Sequence, residues 1–185
     1  HYMRGTGEYS SLSALPKVSK TAGFPITAVE EFSDGYVFKD MILGGEAAYD
    51  ENYNVLKEYY GVMLSYEKPG APELSVSVTP VLDLPVAHES PEPTGTRDID
   101  GVTVRYSRDH YKFVPEDYEK TDADLAAEAA GHYYISFGAD TIEEHEYSFS
   151  GFVLDGVEYT LMVQDVVSDE AMYQLAAELI AAYRG

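Results

Sequence analysis

The stretch that decides the fold is the C-terminal end of the chain, His145–Gly185, which reads HEYSFSGFVLDGVEYTLMVQDVVSDEAMYQLAAELIAAYRG. Apolar and polar residues alternate on both sides of Asp155-Gly156. A period of two is typical of a half-buried strand, and an Asp-Gly pair tolerates the positive φ angles of a type I′ turn. The stretch therefore predicts a β-hairpin that turns at Asp155-Gly156.

A helix is predicted to follow this hairpin. Ser168 is suited to be its N-cap, and the acidic residues Asp169 and Glu170 suit the positive end of the helix dipole. Apolar residues then recur every three or four positions and form one stripe: Met172, Leu175, Ala176, Leu179, Ile180 and Tyr183. Because hairpin and helix each need an apolar partner, we expect them to form the folding core.

The rest of the chain contains further hairpin and helix signals. The predicted elements, in chain order, are a helix at 14–22, a strand at 36–43 that ends at Gly44-Gly45, a hairpin of 60–66 with 74–78, a hairpin at 102–113 that turns at Arg108-Asp109, a helix at 121–130 with a capping box, and a strand at 133–137. The proline-rich segment Pro80–Thr96 is predicted to be a loop or linker.

This order of elements predicts an α+β fold. We expect a mostly antiparallel sheet of about seven strands built from hairpins, with the N-terminal and C-terminal helices packed on one face. The length favours a single domain, which we assign to residues 12–184. Residues 1–11 are polar and contain glycine, so we expect them to be poorly ordered or foreign to the natural protein.

The composition excludes several classes of function. A net charge of −21 repels phosphate backbones and anionic lipids, so we expect no nucleic-acid partner and no peripheral membrane role. The absence of cysteine excludes disulfides, thiolate catalysis and cysteine-based metal sites. No apolar run approaches the roughly 20 residues that span a bilayer. A membrane anchor, if the protein has one, is expected upstream of this sequence.

Metal-binding and catalytic motifs are absent or incomplete. The five histidines lack the spacing of a zinc site, so solvated or hydrogen-bonded roles are expected for them. Asp50–Asn54 matches the start of an EF-hand loop, but Val55 replaces the required glycine and Gly61 the bidentate glutamate. This leaves a polar loop or a loose calcium site. No nucleophile elbow, phosphate loop or dinucleotide fingerprint is present. We therefore expect no cofactor, no metal and no catalytic residue.

The seventeen tyrosines are the most unusual feature of the composition. Tyrosine has a high strand propensity and combines an apolar ring with a polar hydroxyl, so packing in the sheet accounts for most of them. Those that face solvent would form an aromatic surface for a glycan or a peptide. The candidate ligand-binding residues are Tyr106, Tyr111, Tyr118 and Tyr134.

Several segments together resemble one bacterial family. They are Ala22–Ile26 with Asp34-Gly35-Tyr36, Tyr133–Gly138, Phe152–Tyr159 and Ser168–Ile180. They are similar to an uncharacterised family of extracytoplasmic domains in anti-sigma-factor-like membrane proteins and lipoproteins, mainly of Gram-positive anaerobes. The resemblance covers nearly the whole chain, although the family often has a tryptophan at the start of the last hairpin and this chain has none. It implies an extracytoplasmic location, membrane-anchored or secreted, and identifies no catalytic residue.

We therefore expect a non-catalytic extracytoplasmic domain that binds or senses a protein, peptide or glycan. The alternative is a hydrolase of cell-wall or dietary glycan that uses two of the 33 acidic residues as a catalytic pair. A deep cleft with two close carboxylates would favour the hydrolase. A shallow surface lined by tyrosine would favour the binding domain.

Overall fold

A computed structural model describes residues 6–84 and 91–185 of the chain. The strands of this part are β1 (Gly7–Tyr9), β2 (Val37–Tyr49), β3 (Val55–Glu67), β4 (Leu74–Pro80), β5 (Gly95–Ile99), β6 (Val102–Val114), β7 (Tyr133–Phe137), β8 (Glu143–Leu154) and β9 (Val157–Val163). The helices are α1 (Leu15–Ala22), α2 (Asp122–Ala130) and α3 (Asp169–Arg184). All nine strands form one sheet in the order β1-β2-β3-β4-β9-β8-β6-β5, with β7 also paired to β6.

The C-terminal hairpin and helix are confirmed. β8 and β9 pair antiparallel around Asp155-Gly156, where φ is 47° and 74°, as a type I′ turn requires. The hydroxyl of Ser168 accepts a hydrogen bond from the Ala171 N–H at 3.2 Å and caps α3. The hairpin lies in the middle of the sheet, between β4 and β6, so the strongest signal in the sequence belongs to the centre of the fold.

One face of the sheet carries the hydrophobic core. Residues paired across the strands share a face, whereas neighbours along a strand alternate between the two faces, so one cross-strand row lies under the helices. That row consists of Met41, Leu64, Val76, Leu161, Ser150 and Tyr106. The apolar stripe of α3 packs onto this face, and Leu179 is only 1% exposed.

Buried tyrosines fix the loops that cross this core. The hydroxyl of Tyr66 donates to the Val29 carbonyl at 2.8 Å, and that of Tyr159 accepts from the Thr27 N–H at 2.9 Å. The hydroxyl of Tyr106 donates to the Val167 carbonyl at 3.0 Å. These contacts pair loop backbone groups with partners inside the fold, which accounts for several of the many tyrosines.

The prediction of a turn at Arg108-Asp109 is wrong, because β6 is one continuous strand through these residues. Its residues 105–113 pair without interruption with residues 143–151 of β8. The guanidinium of Arg108 donates to the Val167 carbonyl at 3.2 Å. The carboxylate of Asp109 lies 2.7 Å from the ring of His132. Both polar side chains are thus satisfied by partners outside the strand, and the chain does not turn.

The prediction that the strand at 36–43 ends at Gly44-Gly45 is also wrong. β2 continues through Gly44-Gly45 to Tyr49 and forms a hairpin with β3, in which Gly44 faces Gly61. Because β1 and β5 were not expected, the sheet has nine strands rather than about seven. It is also mixed, because α2 links β6 to a parallel β7. The architecture is close to the expected α+β class and mostly antiparallel.

The helix placement differs from the expected pair of terminal helices, because the two lie over different strands and a third helix, α2, also packs on the sheet. α1 contacts β3, whereas α3 lies over β5, β6 and β8. α2 rests against β7, and Asp124 is its only buried residue. No helix of the described residues is both long enough and apolar enough to cross a membrane.

The N-terminal segment and the proline-rich segment are described in part. Gly7–Tyr9 pair with β2, whereas poor order was expected for residues 1–11. Residues 1–5 lie outside the described part, as do residues 85–90 of the predicted loop Pro80–Thr96. The described residues on either side, 81–84 and 91–94, contain no helix or strand, and β5 begins at Gly95.

Candidate functional site

The face of the sheet opposite the helices presents a groove over β6, β8 and β9. Arg105 pairs with Gly151, which pairs with Thr160, and Ser107 pairs with Phe149 in the next row. Directly opposite residues share a face of a sheet, so these side chains lie together. Pro91 and Pro93 line the same groove, which has a volume of about 260 Å³. The short segment that precedes β5 thus forms one wall of the groove.

An aromatic cluster borders the groove and consists of Tyr111, Tyr134, Tyr147 and Phe149. The ring of Tyr111 stacks on that of Tyr134 at 5.1 Å and meets that of Tyr147 edge-on at 5.1 Å. Tyr134 and Phe149 line the groove itself. Burial raises the pKa of Tyr111 and Tyr134, and the nearby charge of Asp109 raises both further. Both hydroxyls are therefore neutral at pH 7 and able to donate hydrogen bonds.

Asp109 and Arg105 carry opposite charges in the groove, and only Asp109 has a charged or polar partner among the described residues. The Asp109 carboxylate is held by His132, whose Nδ1 is 2.7 Å away. Arg105 is exposed, and it forms no ion pair or hydrogen bond with any residue in the described ranges 6–84 and 91–185. Its guanidinium lies across Gly151, where an added Cβ would be 3.2 Å from Nη2. The groove therefore contains a cationic group that no described residue neutralises.

The structure brings together two of the four tyrosines expected to bind a ligand. Tyr111 and Tyr134 stack in the aromatic cluster. Tyr106 is only 5% exposed and belongs to the core under α3, because it alternates in register with Val102 and Val104. Tyr118 lies beside α2, where its hydroxyl donates to Asp124 at 2.5 Å. Tyr106 and Tyr118 are therefore not part of the aromatic surface.

A polar network holds α2 in place of hydrophobic packing. The ammonium of Lys112 donates to Asp124 at 2.9 Å and to the Tyr118 hydroxyl at 2.8 Å. The predicted capping box is confirmed, with Thr121 and Asp124 each bonded to the other's backbone N–H. Hydrogen bonds from Tyr118, Thr121 and Lys112 lower the pKa of Asp124 well below its ordinary value. This network is structural, because it fixes α2 to the end of the sheet.

The described histidines all meet carboxylates on this half of the sheet. His110 lies between Glu146 at 2.7 Å and Glu144 at 3.1 Å, and His145 contacts Glu143 at 3.3 Å. Burial opposes a charge on His110, but the hydrogen bonds to the two glutamates outweigh it and raise the pKa of His110. The hydrogen-bonded role expected for histidine is thus confirmed for His110, His132 and His145. His1 and His88 lie outside the described residues.

The EF-hand-like segment is the turn between β2 and β3. The carboxylate of Asp50 accepts the backbone N–H groups of Asn52 at 2.8 Å and Asn54 at 2.9 Å. Its other oxygen accepts from the Asn54 side chain at 3.0 Å. These bonds lower the pKa of Asp50, and they show that its carboxylate organises a polar turn. In the described ranges, no group of three or more His, Asp or Glu side chains is arranged to hold a metal ion.

The sequence did not identify most of the groove. Arg105, Ser107 and Asp109 alternate on β6, and together with Tyr111 they lie on one face. The period of two would have revealed this row if residues 102–114 had been interpreted as a single strand. Phe149 and Thr160 could be placed beside it only once the register of β8 and β9 was known.

Comparisons of this chain with protein families, with curated proteins and with solved structures found no match. The resemblance to extracytoplasmic domains stays a prediction from the sequence. The function of the groove is therefore inferred from its own geometry and chemistry.

Proposed function

We propose that this domain is a non-catalytic binding module that holds a glycan in the groove on the open face of its sheet. One observation carries the proposal: a single groove is lined by the aromatic rings of Tyr134 and Phe149, by planar charged groups and by hydroxyls. The charged groups belong to Arg105 and Asp109, and Ser107 supplies a hydroxyl between them along β6.

This combination matches the chemistry of a sugar. A pyranose ring has a C–H face that packs on the electron-rich face of an aromatic ring. Its hydroxyls both donate and accept, so planar groups such as guanidinium and carboxylate can engage neighbouring hydroxyls in pairs. The groove of about 260 Å³ is slightly smaller than the usual small-molecule site of about 300–1,000 Å³. It suits a short segment of a saccharide whose remainder extends over the open sheet.

The groove carboxylates are too far apart for the alternative hydrolase mechanism. Asp109 pairs with Tyr147 and Glu158 with Val153, so six residues of β8 separate the two positions. At about 3.3 Å per residue, this corresponds to roughly 20 Å along the strand. Glycosidase carboxyl groups lie about 5–9.5 Å apart. The distance favours binding over hydrolysis at this site.

In this proposal the module is exported and either membrane-anchored or secreted. The support is the resemblance to extracytoplasmic domains, together with a net charge that disfavours nucleic-acid and anionic-lipid partners. A glycan ligand is consistent with a location at the cell surface.

The proposal is tested with an array of glycans that includes peptidoglycan fragments, in the presence and absence of EDTA. Binding is expected without metal and without hydrolysis products detectable by mass spectrometry. Phe149→Ala and Tyr134→Ala should each abolish binding while the circular dichroism spectrum and thermal unfolding remain cooperative. Tyr53→Ala is the matched control, because Tyr53 is 87% exposed on the distant β2–β3 turn. Hydrolysis products, or binding that both groove variants retain, would overturn the proposal.

A further inference from the structure

Arg105 brings a full positive charge to the groove, which is more than hydrogen bonding to the hydroxyls of a neutral sugar requires. The chain has 33 acidic and 12 basic residues, so an arginine without a partner is unexpected. The other arginines in the described part are engaged. Arg97 pairs with Glu170 at 2.8 Å, and Arg184 donates to the Asp100 carbonyl at 2.8 Å. Arg108 donates to the Val167 carbonyl.

The sheet leaves space for the guanidinium of Arg105 in the groove. Gly151, its cross-strand partner, is buried within the long strand β8. Glycine weakens the interior of a strand and often marks the close approach of another group. Here a Cβ would lie 3.2 Å from Nη2 and 3.9 Å from Nε of Arg105. The missing side chain therefore leaves the space in which the guanidinium lies.

Two acidic groups line the same groove, and neither forms an ion pair with Arg105. Asp109 is held by His132 and lies four residues farther along β6, or about 13 Å at the usual rise of a strand. Glu158 lies on β9, two strands away, and is half-buried. The guanidinium is therefore accessible to an anionic group of a ligand. Asp98 on the neighbouring strand β5, Glu158 and the net charge of −21 oppose such a ligand, so the contact with Arg105 has to outweigh their repulsion.

We propose that Arg105 binds the carboxylate of an acidic sugar, so that the groove selects glycans whose pyranose units carry a carboxylate. A guanidinium presents two parallel N–H donors that match the two oxygens of a carboxylate, and such charge-assisted pairs are stronger than neutral hydrogen bonds. Tyr134 and Phe149 then pack on the sugar ring beside the charged pair. This inference rests on the proposed function and specifies the ligand class of the same site.

The test compares two ligands that differ only at their carboxyl groups, trigalacturonic acid and its fully methyl-esterified, uncharged form, titrated by calorimetry. A disaccharide that contains N-acetylmuramic acid tests a carboxylate on a lactyl ether, with the corresponding N-acetylglucosamine disaccharide as its neutral partner. The wild-type protein should bind at least one acidic ligand about tenfold or more tightly than its neutral partner, which corresponds to about 1.4 kcal/mol.

Variants of the groove assign the preference to Arg105. Arg105→Gln should remove the preference for the acid, so that the acidic ligand and its neutral partner bind this variant with affinities within about twofold of each other. Gly151→Ala should also reduce the preference, because its Cβ displaces the guanidinium. Glu158→Gln should strengthen binding of the acid, because it removes a like charge. Arg184→Gln, which changes an arginine engaged with Asp100 outside the groove, is the charge-matched control.

The outcomes separate this inference from the proposed function. Equal binding of acidic and neutral partners, or a preference that survives in Arg105→Gln, overturns the role of Arg105 and leaves a neutral glycan site. Loss of all binding in Phe149→Ala with no effect of Arg105→Gln likewise overturns the role of Arg105. If no glycan binds at millimolar concentration, both the inference and the proposed function are wrong.

Discussion

Replacing Tyr66 with phenylalanine tests how the core tyrosines fix the loop that precedes β2. Tyr66 is fully buried on β3, and its hydroxyl donates to the Val29 carbonyl at 2.8 Å. Phenylalanine keeps the edge contact with the ring of Phe32 at 4.9 Å but leaves the carbonyl without its donor. Losing one partner of a buried hydrogen bond costs about 1–3 kcal/mol. Val29 is only half-buried, so we expect about 1–2 kcal/mol.

For a chain of this length, 1 kcal/mol corresponds to roughly 2–4 °C in Tm, so Tyr66→Phe should lower Tm by about 2–8 °C. Urea unfolding should show a lower midpoint with an unchanged m-value. Tyr53→Phe removes a hydroxyl from an exposed turn and should unfold like the wild type. Burial also raises the pKa of Tyr66, so its contribution to stability should decline as pH rises above about 10, where the unfolded chain loses the proton. If Tyr66→Phe and Tyr53→Phe have the same Tm and the same urea midpoint, the hydrogen bond to Val29 does not stabilise the fold.

Four further predictions concern stability and the end of the sheet at α2. Leu179→Ala should cost about 2–5 kcal/mol, because it removes a fully buried side chain of α3, and an unchanged urea midpoint would contradict its place in the core. Sodium chloride should raise Tm by screening the net charge of −21, whereas a fall in Tm would show that paired charges dominate. The raised pKa of His110 implies stabilisation that is complete below its unfolded value near 6.5 and lost as pH rises through the folded value. His110→Gln should therefore flatten the dependence of Tm on pH above about 6, and an unchanged profile would show that His110 does not contribute. Asp124→Asn should speed amide hydrogen exchange throughout α2, because Asp124 is the only buried residue of that helix, and unchanged exchange would mean that other contacts hold it.

Local signals predicted the parts of the fold that depend on neighbouring residues. The turn at Asp155-Gly156, the cap at Ser168 and the end of α1 at Gly23 require only the conformational preferences of the residues at those positions. The apolar stripe of α3 likewise follows from the helical period. These elements form at the positions that the sequence indicates.

Contacts between residues that are distant in the sequence explain why two of the predictions were wrong. Arg108-Asp109 has the composition of a turn, but its side chains are satisfied by the Val167 carbonyl and by His132, which only the folded structure brings near. Gly44-Gly45 has the composition of a strand end, yet Gly44 continues the pairing opposite Gly61. In both cases cross-strand pairing overrides local preference.

The candidate site was predictable only in part for the same reason. Tyr111 and Tyr134 were identified by residue type, because exposed aromatic residues on strands suggest a binding surface. Arg105 has no distinctive local motif, and its significance depends on having Gly151 opposite it. Only the register between β6 and β8 shows that Arg105 lies opposite Gly151, and the sequence alone does not give this register.

A backbone-amide NMR titration with the tightest-binding saccharide of the glycan array tests most directly whether the groove binds glycans. We predict the largest chemical-shift changes in the groove, at Ser107, Phe149 and Thr160, with little change at Leu175, a buried residue of α3. The same changes should be absent in Phe149→Ala. Shifts confined to the helix-covered face or to the β2–β3 turn, or no shift with any saccharide at millimolar concentration, would contradict the assignment of this groove as a glycan-binding site.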